Sequence, residues 1–274
     1  MVRLSTILTM AATASGLASA QVDQVVEGHT FVTSGPAIAA HWHEYWYNTS
    51  STALHTLKTL LGPQALKDLL KPEIEKGDVF WRDIVARSSG KEWKAASGRT
   101  LAFLPNVTAQ TFAMWFASPL ADLANNDANA EHYYKATVAD PATGALSSEI
   151  IEGWGGVVTH FTIPNFKPVN QHNYDMLDKL PNFPIQFAGD KVLLDGTIFG
   201  ILHIAVRDIT GTDFPEHADK GSGIEIYAAV WYGDASEEEH LEQERQHMII
   251  EEINLSRQAQ KDIVAGRLPI PSRS

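Results

Sequence analysis

Apolar positions along this chain change period once, near residue 130. Upstream they recur every three or four residues, the spacing of a helix face. Ser34-Gly35-Pro36 predicts a helix start, with the helix running to about Tyr47. Leu54, Leu57, Leu60 and Leu61 form a second helical stripe, stopped by Gly62-Pro63. A short helix is predicted over 64–70, ended by Lys71-Pro72, and another over 108–123 carrying Phe112, Trp115 and Phe116. Segments 78–87 and 99–104 are short apolar runs compatible with either element.

From His132 onward the pattern alternates. Strands are predicted over 132–139, 146–151, 157–163, 191–194, 197–208 and 224–232. Asp140-Pro141-Ala142-Thr143-Gly144 and Asp195-Gly196 have the chemistry of hairpin turns. Residues 165–184, rich in Asn, Pro and aromatics, read as a loop. The last element is a helix from Ser236 to about Gly266. Ser236-Glu237-Glu238-Glu239 reads as a capping box, Leu241, Met248, Ile249 and Ile253 as the apolar stripe, and Lys261 and Arg267 as the basic end. The expected class is α+β: N-terminal helices, then a curved antiparallel sheet (a cone or open barrel), then a long C-terminal helix. Such a sheet wrapped on helices encloses a pocket readily.

Composition sharpens this. The first twenty residues read as a signal peptide: Arg3, an apolar run from Leu4 to Leu17, and the cleavage signal Ala18-Ser19-Ala20. The expected organisation is therefore a signal over 1–20 and one domain over 21–274, placed outside the cell or in the secretory lumen. The chain has no cysteine, so a domain in an oxidising compartment has to be held by its core and not by disulfides. Asn48, Asn106 and Asn254 each open an Asn-x-Ser/Thr sequon and are expected to carry glycans. The formal net charge of −12, with no basic cluster, argues against nucleic acid as a partner. No later apolar run approaches a membrane span, so no stable membrane insertion is expected once the signal is removed. A homodimer is left open.

Candidate chemistry lies in aromatic and histidine residues. In the cluster 41–47, His43 and Trp46 are candidates for a pocket wall, with simple core packing and metal ligation as the other readings. A metal site needs a third ligand that spacing does not nominate, so no metal is expected. His160 and His203 sit among apolar neighbours on their strands, where a neutral imidazole can act as acid or base or serve as a bonded structural residue. Glu225, Tyr227, Ala229 and Trp231 alternate with an aliphatic face. The mixed face suits a ligand cavity or a solvent-facing surface, and the aliphatic face suits core. The candidate catalytic set is thus His160, His203, Glu225 and Tyr227, with His43, Trp46, Trp154, Phe199 and Trp231 as substrate-binding residues. The phosphate loop, the dinucleotide fingerprint and the serine-hydrolase elbow are all missing, and no cofactor is expected.

The signal ending Ala18-Ser19-Ala20, the aromatic cluster 41–47, the segment 153–161 and the terminal helix together resemble secreted fungal hetero-Diels–Alderases of tropolone–sesquiterpenoid pathways. This resemblance implies a cofactor-independent cyclase that joins a heterodiene, formed by loss of water to a quinone methide, to a terpene alkene. It also implies a small hydrophobic polyketide or terpenoid substrate. The helix-then-strand order is similar to polyketide-cyclase-type cones, which implies a dehydratase. A secreted protein that binds an apolar ligand without turnover fits the same residues.

Overall fold

The structure, a computed structural model, describes residues 21–26, 29–34, 42–139 and 144–268. The described residues through Thr56 and those from Leu57 onward form two compact units. The first holds an antiparallel hairpin, β1 (Gln21–Val26) with β2 (His29–Ser34), and the start of helix α1 (Trp42–Arg87). The predicted helix start at 34–36 and the turn at 140–143 fall outside the described residues wholly or in part, as does the signal.

Helix α1 is broken at Gly62, whose φ of 71° lies in the left-handed region that Pro63 cannot repair. Its second half carries Gly77, Trp81 and Ile84 on one buried stripe. The predicted stop at Pro72 does not occur; the helix continues to Arg87. Leu57 and Leu60 remain exposed. β3 (Trp93–Ala102) follows, then α2 (Ala109–Phe116) and α3 (Pro119–Ala128). These two replace the single predicted helix 108–123. Thr108 and Thr111 form a capping box for α2, and Pro119 takes the first position of α3, where its missing N–H costs nothing.

The remaining strands are β4 (His132–Ala139), β5 (Leu146–Glu152), β6 (Thr159–Ile163), β7 (Lys167–Pro168), β8 (Ile185–Leu193), β9 (Ile198–Thr210) and β10 (Ser222–Gly233). They form one open antiparallel sheet in the order β3-β10-β9-β8-β6-β5-β4, with β7 paired to β8. The β8–β9 turn uses Gly196 at φ 90°, as its Asp-Gly signal predicts. Helix α4 (Glu238–Val264) lies against the inner face of this sheet. The α+β expectation of helices, curved open sheet and long final helix holds.

Two local readings are corrected. Glu237, not Ser236, caps α4, and no side-chain hydrogen bond closes a capping box there. The buried stripe is also rotated: His240, Leu241, Glu244, His247, Met248, Leu255 and Ala259 face inward, whereas Ile249 and Ile253 are 36% and 41% exposed. Hydrophobicity misplaced the stripe because the inward face carries charged residues that find partners inside.

Candidate functional site

Inward side chains of β5, β6, β8, β9 and β10, together with α2 and α4, enclose a cavity of about 320 Å³. Its sheet walls are aliphatic and aromatic: Phe161, Ile163, Leu202, Ile204, Val206, Ile226, Ala228 and Val230. Phe112, Phe116, Thr137 and Leu146 line it from α2, β4 and β5. The helix wall carries Glu244, His247, Glu251 and Glu252 alongside Met248 and Leu255, joined by Glu152, Lys135 and Lys191 from the sheet. The cavity therefore has mainly apolar walls and one cluster of ionisable groups, Lys191, Glu152, Glu244 and His247.

That end is densely connected. Lys191 Nζ lies 3.6 Å from Glu244 Oε1 and 4.2 Å above the Trp154 ring. His247 Nε2 lies 3.1 Å from His132 Nε2, and Glu152 approaches both rings, at 3.6 Å from His132 and 3.9 Å from His247. Burial alone would lower the His247 pKa. The hydrogen bond to Glu131 and the charges of Glu152, Glu244 and Glu251 outweigh this and bring it up to about 9. Glu252 is hydrogen-bonded to Thr100, and burial pushes its carboxyl up to about 8.

Beneath the cavity an aromatic cluster seals the core. Trp81 stacks on Tyr232 at 4.9 Å and donates from Nε1 to Thr159 Oγ1 at 2.8 Å. Trp154 donates to His240 Nε2, and burial, reinforced by Lys191, holds the His240 imidazole down to about 4. Trp154 and Phe199 belong to this cluster and are fully buried.

The catalytic candidates fall elsewhere. Tyr227 and Trp231 face away from the cavity and pack under the 165–184 loop with Leu177, Leu180 and Phe183. So the mixed face of β10 is covered by a loop, and the aliphatic face, expected as plain core, is the one that lines the cavity. Glu225 is held by Arg99 at 3.1 Å and Arg207 at 2.5 Å. Tyr227 donates to Asp178 at 2.7 Å, and burial with that bond raises its phenol. His203 packs edge-on to Tyr227; both its ring nitrogens are buried without a hydrogen-bond partner, and burial holds it down to about 4. These three residues thus share one outer-face cluster. His160 is apart from them, donating from Nε2 to Glu149 Oε1 at 2.8 Å, beside Lys67.

Strict alternation along β9 would place Phe199 on one face with Ile201, His203 and Ala205. The β8–β9 register skips it: Lys191 pairs Gly200 and Val192 pairs Ile198. That extra residue turns Phe199 into the inner cluster. Trp46 is half exposed in the first unit, and the His43 side chain lies outside the described residues. Asn48 and Asn106 are exposed; Asn254 sits within α4, and its Nδ2 donates to Ala128 O at 2.8 Å.

Sequence reading missed the polar end of the cavity. Its signal was available in α4: Glu244, His247 and Glu251, three and four residues apart, fall on one helix face. Nothing local pointed to His132, Glu152 or Lys191, which three different strands bring to that face.

No helix among the described residues is long and apolar enough to cross a membrane. No protein-family model matches the chain, and no curated relative matches it. Among solved structures, an uncharacterised protein from Rhizobium leguminosarum aligns at 13% identity, covering 62% of this chain and 96% of that one, with a TM-score of 0.36. Ara h 8.0201 aligns at 12% identity, covering 64% of this chain and 99% of that one, with a TM-score of 0.34. At those scores neither likeness bears on function, which rests on the cavity itself.

Proposed function

We propose that the protein encloses a small, largely apolar molecule between the sheet and α4, and acts on its polar end. The single observation carrying this reading is the one-sided polarity of the cavity. Aliphatic and aromatic walls from the sheet converge on Lys191, Glu152, Glu244 and His247. Apolar walls select the substrate's body, and a few convergent polar groups fix its orientation.

The finer reading is a cyclase or dehydratase acting on a hydrophobic polyketide or terpenoid, including a hetero-Diels–Alder addition after loss of water. A partly open apolar cavity favours such a step by holding both reacting ends together, an effect worth up to roughly 7–11 kcal/mol. A donor at the polar end stabilises charge developing on a carbonyl oxygen. Lys191 is the donor placed for that role. The expected secretory signal over residues 1–20 would fit an enzyme of specialised metabolism that works in the lumen or outside the cell.

Two measurements test this. Ala228→Trp fills the cavity from its sheet wall, and it should weaken binding of anilinonaphthalene sulfonate at least tenfold while the protein stays folded. Tyr227→Phe, on the covered outer face, should leave binding unchanged. Wild-type affinity in Ala228→Trp would remove the cavity from consideration. Native mass spectrometry of protein from its own host then separates the enzyme from a carrier: a retained ligand that is never converted favours the carrier.

A further inference from the structure

We propose that His132, His247 and Glu251, with Glu152 beside them, hold a divalent transition-metal cation of the zinc type at the inner end of the cavity. This goes beyond the ligand reading and does not depend on it.

Both imidazoles are buried, and their Nε2 atoms face each other at 3.1 Å. The opposite nitrogen of each ring is committed. His132 Nδ1 lies 2.5 Å from the Asn125 carbonyl oxygen, which can only accept. That nitrogen therefore carries the hydrogen, and Nε2 presents a lone pair. His247 Nδ1 lies 2.8 Å from Glu131 Oε2 and 3.3 Å from Asn129 Nδ2; the carboxylate contact is the shorter and can only accept, so Nδ1 carries a hydrogen and Nε2 is the nitrogen left for a metal. With one ring protonated, the 3.1 Å contact is an Nε2–H···Nε2 hydrogen bond; a metal cation would take the place of that proton, and the carboxylates of Glu131, Glu152 and Glu251 around the pair favour a positive occupant.

The spacing suits a metal. Tetrahedral coordination at metal–nitrogen lengths near 2.05 Å places neighbouring ligand atoms about 3.3 Å apart. The 3.1 Å between the two Nε2 atoms is close to that value. One ligand atom from each of His132, His247 and Glu251 falls within 4.8 Å of the others. Asn125 organises two of them, accepting from His132 through its backbone and donating from Nδ2 to Glu251 Oε1 at 2.6 Å. Histidines backed by a carbonyl and a carboxylate are the usual outer support of metal ligands, because the hydrogen bond fixes the tautomer and the ring orientation. Two imidazoles with carboxylate suit zinc and its neighbours in the first transition row. Glu152, His247 and Glu251 also line the cavity, so the metal site borders it.

The test uses the full, tag-free chain, stripped with chelator and titrated with Co²⁺ and then Zn²⁺. Visible absorption and calorimetry follow binding, and circular dichroism confirms folding. One Zn²⁺ should bind per chain, displacing Co²⁺ and its visible bands. Glu131→Gln removes the carboxylate behind His247 and should weaken binding roughly 10–100-fold. Glu251→Gln should weaken it at least as much, and His217→Gln, on an outer turn, should not. Failure of folded wild-type protein to take up either metal stoichiometrically would overturn the proposal, leaving a shared proton as the occupant. Unchanged affinity in both Glu variants would overturn it equally. Loss of the metal site with anilinonaphthalene sulfonate binding intact leaves the ligand reading standing, and the converse result removes only that reading.

Discussion

Lys191 and Glu244 meet at 3.6 Å across the inner end of the cavity, with side-chain exposures of 4% and 2%. One comes from β8 and the other from α4, so the pair ties sheet to helix. Four aromatic rings surround the ammonium within 6 Å, with Trp154 and Phe161 nearest at 4.2 and 4.7 Å. Removing one partner strands a buried charge, which typically costs about 3–5 kcal/mol. Lys191→Met should lose about that much stability in urea unfolding. The double variant Lys191→Met/Glu244→Leu should recover most of it. A single-variant loss under about 1 kcal/mol would show that the pair is already hydrated in solution.

Stability should depend on pH through His203. Burial, partly opposed by Asp178, holds its folded pKa at about 4, below the ordinary 6.5. Between these values the unfolded chain binds a proton that the native one refuses. Stability is therefore lost as pH falls from 6.5 toward 4, at up to about 1.4 kcal/mol per unit. His240 titrates in the same window. His203→Leu should flatten part of the slope, on the order of 2 kcal/mol over the window. An unchanged pH–stability curve would show that His203 is hydrated in solution.

Gly77 lies on the buried stripe of α1. An added Cβ would sit 2.0 Å from the Val158 carbonyl oxygen. In an isolated helix Gly→Ala gains about 1 kcal/mol. Here Gly77→Ala should instead lower stability, by up to about 2 kcal/mol net, since backbone, not a flexible side chain, blocks the methyl and an overpacking cost of about 1–3 kcal/mol exceeds that gain. A raised Tm in Gly77→Ala would contradict this packing.

Trp81 is fully buried where α1 meets the sheet. Trp81→Ala should cost about 3–5 kcal/mol, through lost area and the cavity left behind. Trp81→Phe should cost less, although Thr159 Oγ1 then loses the indole donor and keeps only its bond to Val157 O. Chemical denaturation of the two variants orders the two effects.

Local signals placed most of the elements. Gly62-Pro63 marked the break in α1, Asp195-Gly196 the β8–β9 hairpin, and the alternation after His132 the strands. Pro72, read as a stop, does not end α1, and Ser118-Pro119 interrupts the helix predicted over 108–123. A proline stop is a local cost that tertiary packing of Trp81 and Ile84 overrides, while the capping of α2 by Thr108 lets a second helix restart at Pro119.

The sequence by itself determined the α+β order, the cysteine-free acidic chain and the positions of its hairpins, because each follows from contacts between near neighbours. Only the tertiary structure decided which face of β10 meets the cavity, since period-two alternation defines two faces but not which one a helix will cover. It also decided that α4 turns Glu244, His247 and Glu251 inward. A charged residue enters a core only when distant partners await it, and here those partners are His132 and Lys191, brought in by β4 and β8.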